Sequence, residues 1–355
     1  MSKFLNEKYQ SLEAYTPGEQ PQDKKYIKLN TNESPYPPSQ AVIDAITSDE
    51  VKNLRLYCDP DCKKLKKSIA DLYGVETSNV FLSNGSDDIL NFSFMAFASA
   101  DCPAVFPEIS YGFYKVYAKL HGVAFDQVPL CDDFSIDYTD YCNKNAFVVI
   151  ANPNAPTGLT LSVDKIEQIV KSNPDNVVLI DEAYVDFGAE SCVELTKKYK
   201  NLLVVQTFSK SRSLAGARLG FAIADSEIIA DLERIKYSTN PYNVNRLTQL
   251  AGTAAIADND YYMQNCKNII ASRDFTVSEL KKLGFNVIDS KANFVFAKTD
   301  KIGGEALYLN LKEKGILVRH FNKEKIKDYN RITIGTHDEM QSLIDAIKQI
   351  MEEQL

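Results

Sequence analysis

Short apolar runs alternate with amphipathic stretches along the chain from about residue 80 onward. Runs in which successive residues are all apolar are typical of strands that are buried on both faces of a sheet. Amphipathic patterns that predict helices separate most of these runs. The alternation indicates an α/β fold with a mainly parallel sheet that is covered by helices on both faces. The predicted strands are residues 80–82, 104–106, 147–150, 177–180, 202–205 and 219–223.

The pattern changes after residue 243. Two long helical patterns, at about 243–257 and 260–282, are followed by shorter apolar runs and by a final helix near 338–353. This mixture predicts a smaller α+β domain in the C-terminal third of the chain. Its strands are expected at residues 294–296, 316–318 and 332–334.

Composition and charge narrow the class of function. The 355 residues are 45% hydrophobic and 25% charged, which is ordinary for a folded protein that is long enough for two domains. A net charge of −8 argues against nucleic acid or an anionic membrane as a partner, although a local arginine pocket can still bind an anion. No run approaches about 18 apolar residues, so no membrane-spanning helix is expected. The N-terminus shows no apolar core of a secretory signal.

Cysteine and histidine usage adds two expectations. Seven cysteines without zinc-site spacing indicate a reducing compartment, which predicts a cytoplasmic protein. Cys58 and Cys62 are therefore expected to be unpaired thiols. The three histidines, His121, His320 and His337, form no cluster in the sequence, so no metal site is predicted.

Polar side chains follow three consecutive predicted strands. Asn154, Asp181 and Lys210 come shortly after the third, fourth and fifth strands. Ligands of mainly parallel sheets bind beyond the carboxyl ends of the strands. We therefore expect these three residues to lie at one site.

The residues around Lys210 predict a particular cofactor. A lysine amine can form a Schiff base, and Asp181 can pair with a pyridinium nitrogen. Thr207, Ser209 and the Arg218 guanidinium can hold a phosphate. Together these groups are what pyridoxal phosphate requires.

A second phosphate-binding element follows the first predicted strand. Gly85, Ser86 and Asp87 open a predicted helix, and backbone N–H groups at a helix N-terminus bind anions. Asp87 is expected to contribute its N–H, while its side chain caps the helix. Tyr111 is expected to stack on the pyridine ring.

Several segments resemble the fold-type-I aminotransferases, and the resemblance extends over nearly the whole chain. Residues 152–158 resemble the Asn-Pro-Thr-Gly turn of that superfamily, and the closer match is the histidinol-phosphate aminotransferase family of its class-II subgroup. Five further segments resemble that family, namely residues 15–18, 29–36, 181–187, 241–245 and 331–335.

The resemblance implies an architecture and an assembly. It implies a large domain of residues 30–242 built on a seven-stranded sheet, and a small domain of residues 243–355 beside which the N-terminal segment 1–29 packs. Tyr57 matches a family tyrosine that reaches the cofactor phosphate of the neighbouring subunit. The resemblance therefore implies a homodimer with shared active sites.

The resemblance also assigns the cofactor's phenolic oxygen. Tyr184 matches the tyrosine that hydrogen-bonds this oxygen, so Lys210, Asp181 and Tyr184 are the implied catalytic residues. The superfamily usually has asparagine immediately before the proline of its turn, where this chain has Ala155. Either Asn154 hydrogen-bonds the phenolic oxygen through a shifted backbone, or Tyr184 makes this contact largely alone.

Two arginines are the implied anchors of the substrates. Arg331 resembles the arginine that grips a substrate carboxylate across the superfamily. Arg319 and Tyr15 resemble contacts to the distal phosphate of histidinol phosphate. The remaining substrate contacts implied by the resemblance are Asn32, Tyr242 and Asn243.

These expectations define one leading function and two alternatives. The leading one is a cytoplasmic pyridoxal-phosphate transaminase that exchanges the amino group of histidinol phosphate with the oxo group of 2-oxoglutarate, forming glutamate, in L-histidine biosynthesis. An aromatic amino-acid aminotransferase is the nearest alternative, since Tyr242 and the two arginines would suit an aromatic acid. Threonine-phosphate decarboxylase, which also resembles this group, is the other alternative.

Overall fold

The large sheet has seven strands in the order β2-β8-β7-β6-β5-β3-β4 in a computed structural model that describes residues 4–10 and 12–353. Strand β8 runs antiparallel to β2 and β7, and the other neighbours are parallel. The predicted α/β fold with a mainly parallel seven-stranded sheet is therefore confirmed. The strands are β1 (Ile27–Lys28), β2 (Val80–Ser83), β3 (Ala104–Pro107), β4 (Phe125–Val128), β5 (Phe147–Ala151), β6 (Val178–Asp181), β7 (Leu202–Thr207), β8 (Gly220–Ala224), β9 (Asn286–Ile288), β10 (Phe294–Lys298), β11 (Ile316–Leu317), β12 (Arg319–His320) and β13 (Asn330–Thr333).

Helices cover both faces of the large sheet. Alternate residues of β5, β6 and β7 enter two separate cores, so every position of these strands is buried. One core receives apolar side chains from α3, α6 and α8, and the other from α4, α5 and α7. The helices are α1 (Gln40–Ala45), α2 (Ser48–Lys52), α3 (Lys63–Tyr73), α4 (Ser86–Phe97), α5 (Phe113–His121), α6 (Val163–Ser172), α7 (Ser226–Thr239), α8 (Arg246–Ala257), α9 (Asn259–Lys282), α10 (Gly304–Glu313) and α11 (His337–Glu352).

Strand β4 was not predicted. Only its two end residues are apolar, and Asp126 and Gln127 between them are exposed. Because β4 pairs with β3 alone at the edge of the sheet, its middle residues face solvent and carry no apolar pattern.

A four-stranded antiparallel sheet, in the order β12-β13-β10-β9, forms a second centre of packing. Apolar side chains of α9, α10 and α11 cover it. Strand β1 pairs in parallel with β11, which joins the N-terminal segment to this part of the chain. Among the described residues, no helix is long and apolar enough to cross a membrane.

The helices after residue 242 are divided between the two cores. Ala251, Ala255 and Tyr262 belong to the core of the large sheet, whereas Cys266 and Ile269 belong to the smaller core. We therefore propose that the boundary lies within α9 rather than near residue 242. Residues 1–3, 11, 354 and 355 of the predicted domains lie outside the described part of the chain.

Candidate active site

The carboxyl ends of β5, β6 and β7 meet at one edge of the large sheet. The ladder continues beyond the strands, because Asn152 N donates to Asp181 O and Glu182 N donates to Val205 O, each at 2.8 Å. A cavity of about 440 Å³ lies at this edge. Nine of the predicted cofactor residues line it, namely Ser86, Asp87, Tyr111, Asp181, Tyr184, Thr207, Ser209, Lys210 and Arg218.

A second cavity, of about 270 Å³, adjoins the first, and the two share Tyr111, Tyr184 and Lys210. Four of the residues predicted to bind substrate line this second cavity, namely Tyr15, Asn32, Arg319 and Arg331. The Lys210 side chain therefore lies between the two spaces.

Lys210 lies three residues after β7, near the beginning of the loop that connects β7 to β8. Its Nζ donates to the carbonyl of Thr31 at 3.2 Å and lies 5.8 Å from the centre of the Tyr184 ring. Burial, followed by the positive charge of Arg331, lowers the pKa of Lys210 to about 8. A substantial fraction of this amine is consequently neutral at mildly alkaline pH.

Asp181 ends β6 and is 4% exposed. Burial raises the pKa of Asp181 to about 6, and hydrogen bonds from Tyr114 and from the Ala183 backbone oppose that rise. The Tyr114 hydroxyl donates to Asp181 Oδ2 at 2.8 Å, and Ala183 N donates to Oδ1 at 3.1 Å. Sequence reasoning missed Tyr114. Its position one helical turn after Tyr111 was the available signal.

Asp87 does not cap α4 with its side chain, contrary to the sequence expectation. Its Oδ2 accepts from Arg218 Nη2 at 2.8 Å, and its Oδ1 accepts from the Tyr111 hydroxyl at 2.7 Å. Gly85 occupies the N-cap position with φ of 83°, and no side chain caps the helix. The N-terminal N–H groups of α4 are therefore free of side-chain caps.

The groups around this helix start form an anion-binding cup. A Cβ atom on Gly85 would lie 2.7 Å from Arg218 Nη2, so glycine lets the guanidinium close over the loop. The Thr207 hydroxyl donates to Ser209 Oγ at 3.0 Å, and both residues line the same cavity. Backbone N–H groups, hydroxyls and a guanidinium fit a phosphate, while Asp181 and Lys210 fit a pyridine ring and its aldehyde. The residues present therefore suit pyridoxal phosphate.

Tyr184 stands between the cup and the second cavity. Its hydroxyl oxygen accepts a hydrogen bond from Asn32 Nδ2 at 2.9 Å, and its ring packs edge-on against Phe294. Burial raises the pKa of the Tyr184 phenol, which keeps it protonated near neutral pH.

Arg319 and Arg331 face each other across the antiparallel pair β12 and β13. Arg331 Nη2 donates to Asn30 O at 2.8 Å. Arg319 donates to the carbonyl oxygens of Thr16 and Pro17 at 3.1 and 3.2 Å. Two guanidinium groups therefore line the second cavity. Phe321 and Lys323, which sequence reasoning missed, line it as well.

Four other predicted residues, namely Asn154, Asn243, Tyr57 and Tyr242, do not line either cavity. Asn154 is committed to Ser110 Oγ at 2.8 Å and to Ile109 O at 3.0 Å. Asn243 Nδ2 donates to Ser83 Oγ at 2.7 Å and to Asp88 Oδ2 at 3.1 Å. Tyr57 and Tyr242 stack on one another and are 80% and 41% exposed, respectively.

Known proteins resemble this chain along its length. A family model described as aminotransferase class I and II matches residues 24–347. A histidinol-phosphate aminotransferase from Brachyspira hyodysenteriae is 54% identical over 353 residues, which are 99% of this chain and 100% of the relative. The histidinol-phosphate aminotransferase structure from Clostridium acetobutylicum is 26% identical, with a TM-score of 0.83 over 92% of this chain and 99% of that one. The Sinorhizobium meliloti histidinol-phosphate aminotransferase in complex with pyridoxal-5'-phosphate is 24% identical and shares the fold, with a TM-score of 0.85 over 94% and 93% of the two chains.

Proposed function

The chain belongs to the class I and II aminotransferase family, as its sequence predicted, and we propose that it transfers an amino group between histidinol phosphate and 2-oxoglutarate. The observation that carries the proposal is the position of Lys210 between an anion-binding cup and a second cavity lined by two guanidinium groups. The full-length similarity to a histidinol-phosphate aminotransferase supports the same substrate.

We propose that the cup holds pyridoxal phosphate. When bound, this cofactor supplies an electron-accepting ring that makes the α-hydrogen of a bound amine acidic. Asp181 lies in the cavity as a carboxylate partner for the ring nitrogen, and the bond from Tyr114 favours its ionised form. Lys210, whose pKa is lowered to about 8, is suited to take up and return a proton at the substrate carbon.

The second cavity must accept two unlike anions in turn. We propose that Arg331 binds the carboxylate beside the amino group of glutamate, and that Arg319 and Tyr15 bind the distal phosphate of histidinol phosphate. Both arginines are bound to backbone carbonyls, which leaves other N–H groups of each fork available to an anion.

We further propose that the active unit is a cytoplasmic homodimer. Tyr57 extends from the loop after α2 and, at 80% exposure, contacts neither cavity of its own chain. Exposed apolar side chains of the same region, including Ile43, Val51, Leu54 and Leu56, would be covered by a second copy of the chain. The cysteines of the described residues are all free, which agrees with a reducing compartment.

The test compares amino donors at a fixed 2-oxoglutarate concentration. Purified protein loaded with pyridoxal phosphate should form glutamate with histidinol phosphate at a much higher kcat/KM than with phenylalanine or tyrosine. A preference for the aromatic amino acids would reject the proposed substrate, and amine formation from threonine phosphate with release of carbon dioxide would reject transamination.

A further inference from the structure

The cavity wall beside Tyr184 lacks an amide from the turn at residues 152–158. Ala155 brings only a methyl group to both cavities. Asn152 is bound to both the N–H and the carbonyl of Leu161, and Asn154 is committed to Ser110 and Ile109. The amide that does reach the Tyr184 hydroxyl comes from the opposite side, from Asn32 in the N-terminal segment.

Asn32 is 1% exposed, and each of its polar atoms takes part in a hydrogen bond. Its backbone N–H donates to Thr333 Oγ1 at 3.0 Å, and its backbone carbonyl accepts from Asn293 Nδ2 at 3.0 Å. The Thr333 hydroxyl donates to Asn32 Oδ1 at 3.0 Å, and Asn32 Nδ2 donates to the Tyr184 hydroxyl oxygen at 2.9 Å. The reverse amide orientation would make Thr333 Oγ1 accept two hydrogen bonds from Asn32, and the Thr333 hydroxyl hydrogen would then need a different acceptor. Asn32 has a left-handed backbone with φ of 56°, which brings its side chain to this place.

This orientation determines what the phenol of Tyr184 can do. Because its oxygen accepts from Asn32, its own hydrogen is available for an acceptor in the cavity. We propose that Asn32 is a positioning residue that fixes Tyr184 as a hydrogen-bond donor into the cavity, and that Thr333 fixes Asn32. The inference rests on the proposed function, since the acceptor is the phenolic oxygen of bound pyridoxal phosphate.

We call the hydrogen bonds from Thr333 to Asn32 and from Asn32 to Tyr184 the relay. The relay connects the four-stranded sheet, through β13, to the cavity beside the large sheet. Thr333 and Arg331 lie two residues apart on β13, and therefore on the same face of that strand. Thr333 is paired with Phe294, whose ring packs against Tyr184. The strand that carries a proposed substrate guanidinium therefore also carries the anchor of Asn32.

The test follows the pH titration of the visible absorbance of the bound cofactor, without any substrate. This titration follows loss of the proton that the imine nitrogen shares with the phenolic oxygen of the cofactor. A hydrogen bond donated to the phenolic oxygen stabilises its negative charge, favours loss of that proton and so lowers the midpoint. Tyr184→Phe should therefore raise the midpoint by about one pH unit, the shift expected for one hydrogen bond to a charged group. Asn32→Gly, which keeps the left-handed backbone, should raise it in the same direction, and the double variant should match Tyr184→Phe alone.

Two matched variants of Thr333 keep the inference testable if Asn32→Gly does not fold. Thr333→Val removes the hydroxyl and should raise the midpoint, whereas Thr333→Ser should retain the wild-type value. The dissociation constant for pyridoxal phosphate should likewise be higher in Thr333→Val than in Thr333→Ser. A wild-type midpoint in Asn32→Gly, additive shifts in the double variant, or equal midpoints in the two Thr333 variants would overturn the relay.

These titrations separate the relay from the substrate assignment. A protein that binds the cofactor but fails to use histidinol phosphate would still give the full titration result for Asn32. A wild-type protein that binds no pyridoxal phosphate would overturn the proposed function, and the relay with it.

Discussion

Replacing Asp181 by asparagine should make the cofactor-free protein more stable at alkaline pH, although it impairs catalysis. In the folded chain the pKa of Asp181 is about 6, raised from 3.8 chiefly by burial. A raised pKa means that folding favours the protonated carboxyl. The stability associated with this group is therefore present at low pH and is lost as the pH rises through about 6.

The magnitude follows from the same values. A rise of about 2 pH units corresponds to about 3 kcal/mol that the ionised carboxylate costs the apo-protein at pH 8. Asparagine has one acceptor oxygen, so it loses one of the two bonds from Tyr114 and Ala183, at about 1 kcal/mol. Asp181→Asn should therefore stabilise the apo-protein by about 2 kcal/mol at pH 8. At pH 4 the carboxyl is protonated and the lost hydrogen bond remains, so the variant should be less stable than wild type by up to about 1 kcal/mol.

The assay is urea unfolding of apo-protein at both pH values, with wild type and variant measured together. Asp181→Asn holoenzyme should show the opposite trend, with a large loss that falls mainly on kcat, because the carboxylate acts on the ring in the transition state. A variant that is less stable than wild type at pH 8, or whose gain does not change with pH, would refute the account of Asp181.

Three further experiments test the other assignments. Lys210→Ala should abolish glutamate formation while the apo-protein still binds pyridoxal phosphate, and substantial turnover would reject Lys210 as the catalytic amine. Arg319→Ala should lower kcat/KM for histidinol phosphate by roughly 30- to 1000-fold and that for glutamate far less. Arg319→Lys is the matched control, since it keeps the positive charge but not the two-pronged guanidinium. Equal small losses for both substrates in Arg319→Ala would show that Arg319 does not bind the phosphate. Mixing Tyr57→Ala chains with Lys210→Ala chains should recover activity, because each mixed dimer would hold one site without either change. No recovery after verified subunit exchange would contradict shared sites.

The sequence was sufficient to predict the buried strands and the polar residues that directly follow them. Strands β5, β6 and β7 are apolar at nearly every position because both of their faces are covered, and this pattern is visible in the sequence. The polar residues at their ends follow from strand direction alone, which explains why Asp181 and Lys210 could be placed at one cavity. Edge strand β4 has no such pattern, because its middle residues face solvent.

Contacts between distant segments could not be predicted in the same way. The side chain of Asp87 was expected to satisfy its own helix, but Arg218, which is 131 residues away, competes for it as a full charge. Asn32 and Thr333 are 301 residues apart, and their bond depends on how the N-terminal segment crosses β13. Tyr114 lies within an apolar helix face, where burial of its ring conceals the single hydrogen bond of its hydroxyl.

The most direct test of the central claim is a half-reaction in a spectrophotometer. Holoenzyme mixed with histidinol phosphate alone should lose the visible absorbance of the Lys210-bound cofactor in one stoichiometric turnover. Addition of 2-oxoglutarate should then restore the absorbance and release one equivalent of glutamate. Absorbance that does not change with histidinol phosphate, or that is not restored by 2-oxoglutarate, would contradict the proposed amino-group transfer.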